Sequence, residues 1–545
     1  MAEQPRGTKS TANSLSLLLG AALAGIVFST THYSSCGHVL SWLSLAALSM
    51  LASRCSSVVM SMLVGGVFGV VYHGAQLDFI RTTGIPGDWF ACGPFWDHWF
   101  GTVIGGGVVW SASTLAIHWM HLRAWPMAIG LPAVIVTQEL IAEHGCWWLV
   151  GSSCVLCQLS LKQVDCAVLI QVAAWGGTGI VSWIAATIAG LAADTTRVIG
   201  SGQSQPKCLK ISLGVFLGLI VGGVGFGCGR LSEEPIESVS CLIVPREFSP
   251  DDLSELLNII QTVGSRPVLC LWPEVACRAT AGTDGELERQ IGEIARRLGC
   301  TVIVGAKRID PEKIGPFNSA LLFDSDGRLV STYDKQFLTP GLECPSMGLI
   351  DSSSARVGGW PTFFRGVRPT MPLSVALKSA SAIQPNHETD QVPTESVSVG
   401  LGICHDICVP EWATTWRAAK RLPDILVQIA DESPDWTGRV QPLLLACARL
   451  RAVTLGRPLV RCVHGGFSCA IDANGRVVNA RWPLSDSGDI GLTNVGLLET
   501  SGTGGHWATA IGGFLPALAV VSQIVIVVVL RRVNHMATTR ETIHE

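Results

Sequence analysis

The sequence predicts a two-part fold: a multi-span α-helical membrane bundle that carries an outer, layered α/β domain. Three observations predict it. Of 545 residues, 48% are hydrophobic and only 15% charged, against about 25% charge in an average soluble domain. Apolar runs long enough to cross a bilayer crowd the first 230 residues and recur once near the C-terminus. Between them, short β-branched runs alternate with amphipathic helical patterns. Low charge with high apolar content excludes a disordered chain. A net charge of −4 without a Lys/Arg block gives no nucleic-acid footprint. No HExxH, Walker A or dinucleotide-type glycine motif is present, so neither a metal nor a cofactor is expected.

A spanning helix needs about 20 mostly apolar residues, because each adds about 1.5 Å across about 30 Å of hydrocarbon. Seven such segments precede residue 230: 14–32, 37–53, 57–75, 99–121, 125–143, 166–193 and 211–229. An eighth covers 507–530 and stops at Arg531-Arg532. Glycine clusters such as 105–107 and 222–223 let helices approach closely in lipid. The first segment follows Arg6 and Lys9 as a signal peptide would, but further spans come directly after it, so it reads as an uncleaved helix. Glu139, late in the fifth span, reads either as a headgroup contact or as a helix end at the interface. The predicted divisions are a membrane domain over 1–230, an α/β domain over 231–506, a last span over 507–531 and a cytoplasmic tail over 532–545.

Basic loops set orientation. Arg6, Lys9, Arg54, Arg123, Arg197, Lys207, Lys210, Arg531 and Arg532 fall on one side of the eight spans, and little beyond Arg81 and Lys162 on the other. Both ends are therefore expected inside and 231–506 outside. Among 19 cysteines the spacing shows no disulfide framework. The closest pair, Cys154-Val-Leu-Cys157, reads as a redox pair or as two packed thiols.

In the outer region, 238–244, 267–272, 301–305, 396–403, 424–429, 459–463 and 467–472 read as strands. A hairpin, 320–323 with 329–333, turns at Asp326-Gly327. A helix over 286–298 carries Leu287, Ile291, Ile294 and Leu298 on one face and ends before Gly299. Residues 440–456 also read as helical, and 351–396 as a long polar surface loop. This pattern suits one layered α/β domain.

Three reactive residues stand where strands end: Glu274, Lys335 and Cys404. Ligands gather beyond strand C-termini in such sheets. A thiol, a carboxylate and an ammonium form a nucleophile set, in which the ammonium is expected to lower the thiol pKa and stabilise an oxyanion. Taken singly, the three read equally as a buried small hydrophobe, a helix-start carboxylate and a solvated loop charge.

The wording around them narrows this. Leu271-Trp-Pro-Glu274, Tyr333-Asp-Lys335-Gln-Phe-Leu338-Thr-Pro340-Gly-Leu-Glu343-Cys-Pro345, Gly402-Ile-Cys404-His-Asp406 and Ala448-Arg449-Leu-Arg451 through Gly456-Arg457-Pro458-Leu-Val-Arg461 resemble motifs of the nitrilase superfamily, in the version carried by bacterial apolipoprotein N-acyltransferases. Leu169-Ile-Gln171-Val-Ala-Ala-Trp175-Gly-Gly-Thr-Gly179 resembles a membrane signature of the same enzymes. The resemblance implies a nitrilase-like α-β-β-α sandwich. It also implies transfer of an acyl chain from a phospholipid to the α-amino group of a diacylglyceryl-modified apolipoprotein, by a monomer in the bacterial inner membrane with its catalytic domain on the periplasmic face. It makes Cys404 the nucleophile, Glu274 the general base and Lys335 the oxyanion partner. Glu343 becomes a supporting carboxylate, and His405, through its backbone N–H, a second oxyanion donor. Asp406 is carried as a further supporting residue. Departures are clear: Cys404-His405-Asp406 stands for Cys-Tyr-Glu, Val463-His464-Gly465-Gly466 covers the Asn-Asn-Gly position, and 430–438 is longer than its counterpart. Competing readings are a membrane-tethered amidase, in which water resolves the acyl-enzyme, and an inactive relative. A transporter would leave the large outer domain unexplained.

The charge bias makes a direct prediction. Alkaline phosphatase fused at about residue 300 is expected to be active and at about residue 200 inactive; the opposite pattern would invert the orientation.

Overall fold

In this computed structural model, the described residues are 14–83, 96–144, 152–201, 206–233, 237–263, 267–283, 285–310, 316–339, 363–367, 371–376, 396–435, 437–481 and 490–497, with Glu343 and a few other single positions. The expected last span at 507–530 lies outside them.

Helices occur at all seven N-terminal apolar segments: α1 (Ser14–Thr30), α2 (Gly37–Arg54), α3 (Val58–Gln76), α4 (Trp96–Leu122), α5 (Met127–His144), α6 (Ala173–Ser201) and α7 (Pro206–Leu231). Three of the described helices contain stretches long and apolar enough to cross a membrane: Val58–Gln76, His98–Leu122 and Ala173–Ile199. Glycines let α3 and α4 touch: a Cβ at Gly65 would meet the Trp110 carbonyl oxygen at 2.3 Å, and one at Gly69 the Gly106 oxygen at 2.7 Å.

The sixth segment departs from a continuous helix. Residues 167–170 form a separate short turn, and Gly176 and Gly177 break α6 near its start, Gly177 at φ +70°. Lys162, counted above as an outer-loop charge, is buried. Its Nζ donates to the Phe28 carbonyl oxygen at 2.8 Å and lies 4.5 and 4.9 Å from the Phe28 and Tyr72 rings. The loop around it folds inward because the aromatic faces and carbonyl replace the water an ammonium would lose. Glu139 accepts the Leu159 N–H at 2.6 Å, so its carboxylate holds the same loop. Cys157 is a free thiol, and the side chain of Cys154 lies outside the described ones.

The α/β region is a four-layer sandwich. Its first sheet contains β1 (Glu237–Ile243), β2 (Leu269–Leu271), β3 (Cys277–Ala281), β4 (Thr301–Ile309), β5 (Pro316–Phe323), β6 (Leu329–Asp334) and β13 (Gly491–Leu497). The order is β13-β1-β2-β4-β5-β6, with β3 alongside β4. The second sheet contains β7 (Leu373–Ala376), β8 (Ser396–Ile403), β9 (Ile425–Asp431), β10 (Leu459–His464), β11 (Ser468–Ile471) and β12 (Val477–Arg481), in the order β12-β11-β10-β9-β8-β7. β1, β2 and β4 run parallel, as do β8, β9 and β10. The predicted hairpin is β5–β6, with Leu321 opposite Thr332.

Period-two alternation decides the layers. Val239, Cys241, Ile243, Leu269, Leu271, Ala320 and Leu322 join Val399, Leu401, Ile403, Val427 and Ile429 in one core between the sheets. Leu242, Cys270, Val302, Val304 and Phe323 face the other way, onto α8 (Asp252–Val263) and α9 (Glu286–Leu298). On the second sheet, α10 (Pro410–Ala418) and α11 (Val440–Leu455) supply the outer layer through Trp412, Trp416 and Leu443. The helix predicted over 286–298 has these bounds, and Gly299 closes it at φ +65°. The stretch 351–396, expected to be a loop throughout, contains β7, which pairs antiparallel with β8. Arg439 bonds Asp78 at 2.6 Å and Arg449 bonds Asp165 at 2.7 Å, tying α11 and its lead-in to the helical region.

Gly305 fixes how close β4 comes to the segment after β2. A Cβ there would meet the Pro273 carbonyl oxygen at 2.3 Å and the Glu274 Cα at 2.7 Å. Gly305→Ala is therefore expected to destabilise the protein by about 1–3 kcal/mol through overpacking. A thermal midpoint equal to that of the parent would show that the two segments part freely.

Candidate active site

Strand ends and the segments that follow them bring four side chains to one end of the sandwich. Glu274 lies just beyond β2, Lys335 directly follows β6, Cys404 directly follows β8, and Glu343 comes eight residues after Lys335. Lys335 is 1% exposed. Its Nζ lies 2.9 Å from Glu274 Oε1 and 2.7 Å from Glu343 Oε2. A buried ammonium is costly unless paired, and here two carboxylates hold it.

Asn318, on β5, completes the arrangement and was not singled out by sequence. Its Nδ2 donates to Glu274 Oε1 and to Glu343 Oε1, both at 2.6 Å. The Thr339 N–H donates to Glu343 Oε2 at 2.7 Å and the Asp431 N–H to Glu274 Oε2 at 3.0 Å. Phe317-Asn318-Ser319 precedes the strand read over 320–323 and carries no signal of its own. Only the opposing hairpin partner reveals it, since the Lys335 N–H bonds the Asn318 carbonyl oxygen at 2.8 Å.

The two carboxyls are driven apart electrostatically. Burial pushes Glu274 above the ordinary glutamate value; Lys335 pulls it down, and the Glu343 charge pushes it up. Burial acts on Glu343 too, but the Lys335 charge and hydrogen bonds outweigh it and hold that carboxyl below its ordinary value. Glu343 is thus the standing counter-ion and Glu274 the more basic partner. Separation of this kind assigns acid–base roles within a pair. Burial alone would lower Lys335, yet Glu274 and Glu343 keep it well above its ordinary value, so it remains an ammonium.

Cys404 differs from the sequence expectation. Burial, with the Glu274 charge next, raises its thiol pKa well above the ordinary value, and the opposing pull of Lys335 does not compensate. It rests as a thiol and needs a base. Its backbone sits at φ +45°. Val275, next to Glu274, sits at φ +50°, a region hostile to a β-branched residue. Strained positions of this kind gather at functional sites.

Asp406 is a clamp. It accepts from the Gln336 and Phe337 N–H groups at 3.1 and 2.7 Å, the Ile403 N–H at 3.0 Å and the Tyr333 hydroxyl at 2.8 Å. It binds the Lys335 turn of one sheet to the Cys404 turn of the other; burial raises its carboxyl to about 6. Burial, then Lys335, depress the His405 imidazole to about 4, so it is neutral. No group of three or more His, Cys, Asp or Glu among the described residues is arranged to hold a metal ion.

Residues 268–487 match the carbon–nitrogen hydrolase family. Curated relatives are apolipoprotein N-acyltransferases. That of Rhodopseudomonas palustris is 27% identical over 290 residues, covering 50% of this chain and 47% of that protein. That of Sinorhizobium medicae is 23% identical over 303 residues, covering 50% and 52%. That of Pseudomonas aeruginosa is 24% identical over 367 residues, covering 64% and 65%. The chain thus spans about half the length of the first two relatives. Among solved structures, the carbon–nitrogen hydrolase of Helicobacter pylori aligns with a TM-score of 0.34 at 14% identity, over 48% of this chain and 89% of that one.

The Glu343 charge is one cause of the raised Glu274 pKa. Glu343→Gln is therefore expected to move the acid limb of the enzyme's pH–rate profile to lower pH while slowing the reaction at least about tenfold. A pH–rate profile with an unmoved or upward-shifted limb would uncouple the two carboxyls.

Proposed function

We propose that this chain, a member of the carbon–nitrogen hydrolase (nitrilase) superfamily through residues 268–487, is a membrane N-acyltransferase that works through a thioester on Cys404. The observation that carries the reading is the pair of buried carboxyls gripping one ammonium, whose charges act on a strained cysteine.

In the first half-reaction Glu274 takes the Cys404 proton as sulfur attacks the carbonyl carbon of a phospholipid ester. The C–S bond forms, and negative charge gathers on the carbonyl oxygen, where the Lys335 ammonium and the His405 N–H stabilise it. The C–O bond then breaks, and Glu274 returns its proton to the leaving alkoxide, releasing lysophospholipid. In the second half-reaction the α-amine of a diacylglyceryl-modified apolipoprotein attacks the thioester. Glu274 accepts the amine proton, the C–N bond forms, the C–S bond breaks and Glu274 passes that proton to the leaving thiolate. Two easier exchanges replace one hard ester-to-amide exchange. Glu343 stays ionised throughout and keeps Lys335 charged and in place.

Lipid substrates account for the attachment of this site to apolar helices, and the relatives' names supply the acceptor class. The proposed setting is lipoprotein biosynthesis in a bacterial inner membrane. The membrane domain covers 1–230 and the catalytic domain 231–506, on the periplasmic side; a last span covers 507–531 and a cytoplasmic tail 532–545. The protein acts as a monomer.

Intact-mass analysis after incubation with phospholipid tests the reading. One acyl adduct is expected on Cys404, discharged by a lipopeptide amine. Cys404→Ala and Cys404→Ser are expected to lose it, while Cys408→Ala retains it; Glu274→Gln is expected to acylate at least about 100-fold more slowly. Discharge by water at the same rate without amine would make the protein a hydrolase, and an adduct persisting in Cys404→Ala would remove Cys404 as nucleophile.

A further inference from the structure

Behind the nucleophile lies a row of buried polar side chains that the reaction above does not use. Gln428 on β9 has Gly402 of β8 as its register partner on one side and Arg461 of β10 on the other. Gln428 and Arg461 are 0% exposed and Glu432 is 2% exposed. Arg461 Nε donates to Gln428 Oε1 at 2.8 Å, and its Nη2 pairs with Glu432 Oε1. Gln428 Nε2 donates to the Cys404 carbonyl oxygen at 3.2 Å. Arginine offers only donors, so the glutamine atom facing it must be the oxygen. That leaves the amide nitrogen facing Cys404. Glu432 in turn fixes the guanidinium.

We propose that Glu432, Arg461 and Gln428 form a positioning relay that aims the His405 N–H at the developing oxyanion. The proposal rests on the reading of Cys404 as nucleophile and of the His405 N–H as oxyanion donor. The Cys404 carbonyl and the His405 N–H belong to one planar trans peptide and point in opposite directions. Gripping the oxygen from behind therefore sets the direction of the N–H in front. Donation to the oxygen also polarises the peptide, which strengthens its N–H as a donor. Fixing this plane matters here because Cys404 sits at φ +45°, where a side-chain-bearing residue is strained and tends to relax. Energetics alone does not explain the pair: a buried ion pair gives little net stability over apolar packing of the same volume.

The test uses full-length protein in detergent, with a p-nitrophenyl acyl ester as probe. Gln428→Met keeps the volume and removes the donor. Its burst of p-nitrophenolate is expected to slow about tenfold, less than the loss of a whole oxyanion donor, with KM unchanged. Glu432→Gln retains an acceptor for Arg461 and is expected to slow the burst about threefold, which keeps the test alive should Gln428→Met fail to fold. Alkylation of Cys404 by iodoacetamide, mapped by mass, builds no oxyanion and is expected to stay within about twofold of the parent rate in both variants. Unchanged bursts would overturn the relay. Burst and alkylation falling together would also overturn it, by showing general distortion of the thiol. A parent protein with no burst and no Cys404 adduct would instead bring down the nucleophile reading, and the relay with it.

Discussion

The ammonium of Lys335, almost wholly removed from water, is the constraint on which the rest of the site depends. An unpaired charge at that depth would lose its proton or unfold its surroundings. Two carboxylates within 2.9 Å prevent this, but they create a second problem, since like charges crowd each other. Asn318 meets it by donating to both, and the backbone N–H groups of Thr339 and Asp431 take the outer oxygens. What electrostatic tension is left appears as the difference between a raised Glu274 and a lowered Glu343. That difference gives one carboxyl a standing charge and the other the capacity to accept a proton.

The cluster also explains why the thiol waits. A cysteine beside a single ammonium would ionise readily. Cys404 instead feels Glu274, Glu343 and Glu432 as well as Lys335, in a half-buried setting, and holds its proton. In the proposed mechanism its reactivity therefore comes from proton transfer within the encounter rather than from a standing thiolate. Such a transfer needs the base, the ammonium and the sulfur in fixed relation although they come from two different sheets. Asp406 supplies that relation, spanning from the Cys404 turn to the backbone after Lys335.

Much of this was legible in the sequence where a residue's chemistry is declared by its local setting. Glu274, Lys335 and Cys404 follow apolar strand patterns with unambiguous ends, and α9 shows its face, its terminal glycine and its bounds in one short window. Gln428 gave no such signal, because it sits inside a strand pattern and takes its meaning from neighbours across the sheet, and Asn318 lies just before the strand read over 320–323; Arg461 closes a family-like stretch, but only the sheet register sets it beside Gln428. The Lys162 loop failed for a related reason. A charge in a short connection reads as solvated unless one knows that Phe28 and Tyr72, far away in sequence, form the surface it meets. β7 and β13 were missed because short strands flanked by polar and glycine-rich chain carry too little periodicity, and their pairing with β8 and β1 alone gives them their place.

The scaffold around the site is arranged to absorb strain. Cys404 and Val275, two of the three non-glycine residues at positive φ among those described, are the proposed nucleophile and the neighbour of Glu274. Each conformation costs on the order of 1–3 kcal/mol and must be held by its surroundings. β2, β4, β8 and β9 can do so because they are buried on both faces, Leu271 and Ile403 inward and Cys270 and Val302 outward. A central parallel strand cannot slip by one residue without moving its apolar set to the wrong layer. The ends of such strands are therefore fixed in register, and there a strained turn can be kept and the ion pairs of Lys335 with Glu274 and Glu343 can be held where their charges act on the thiol.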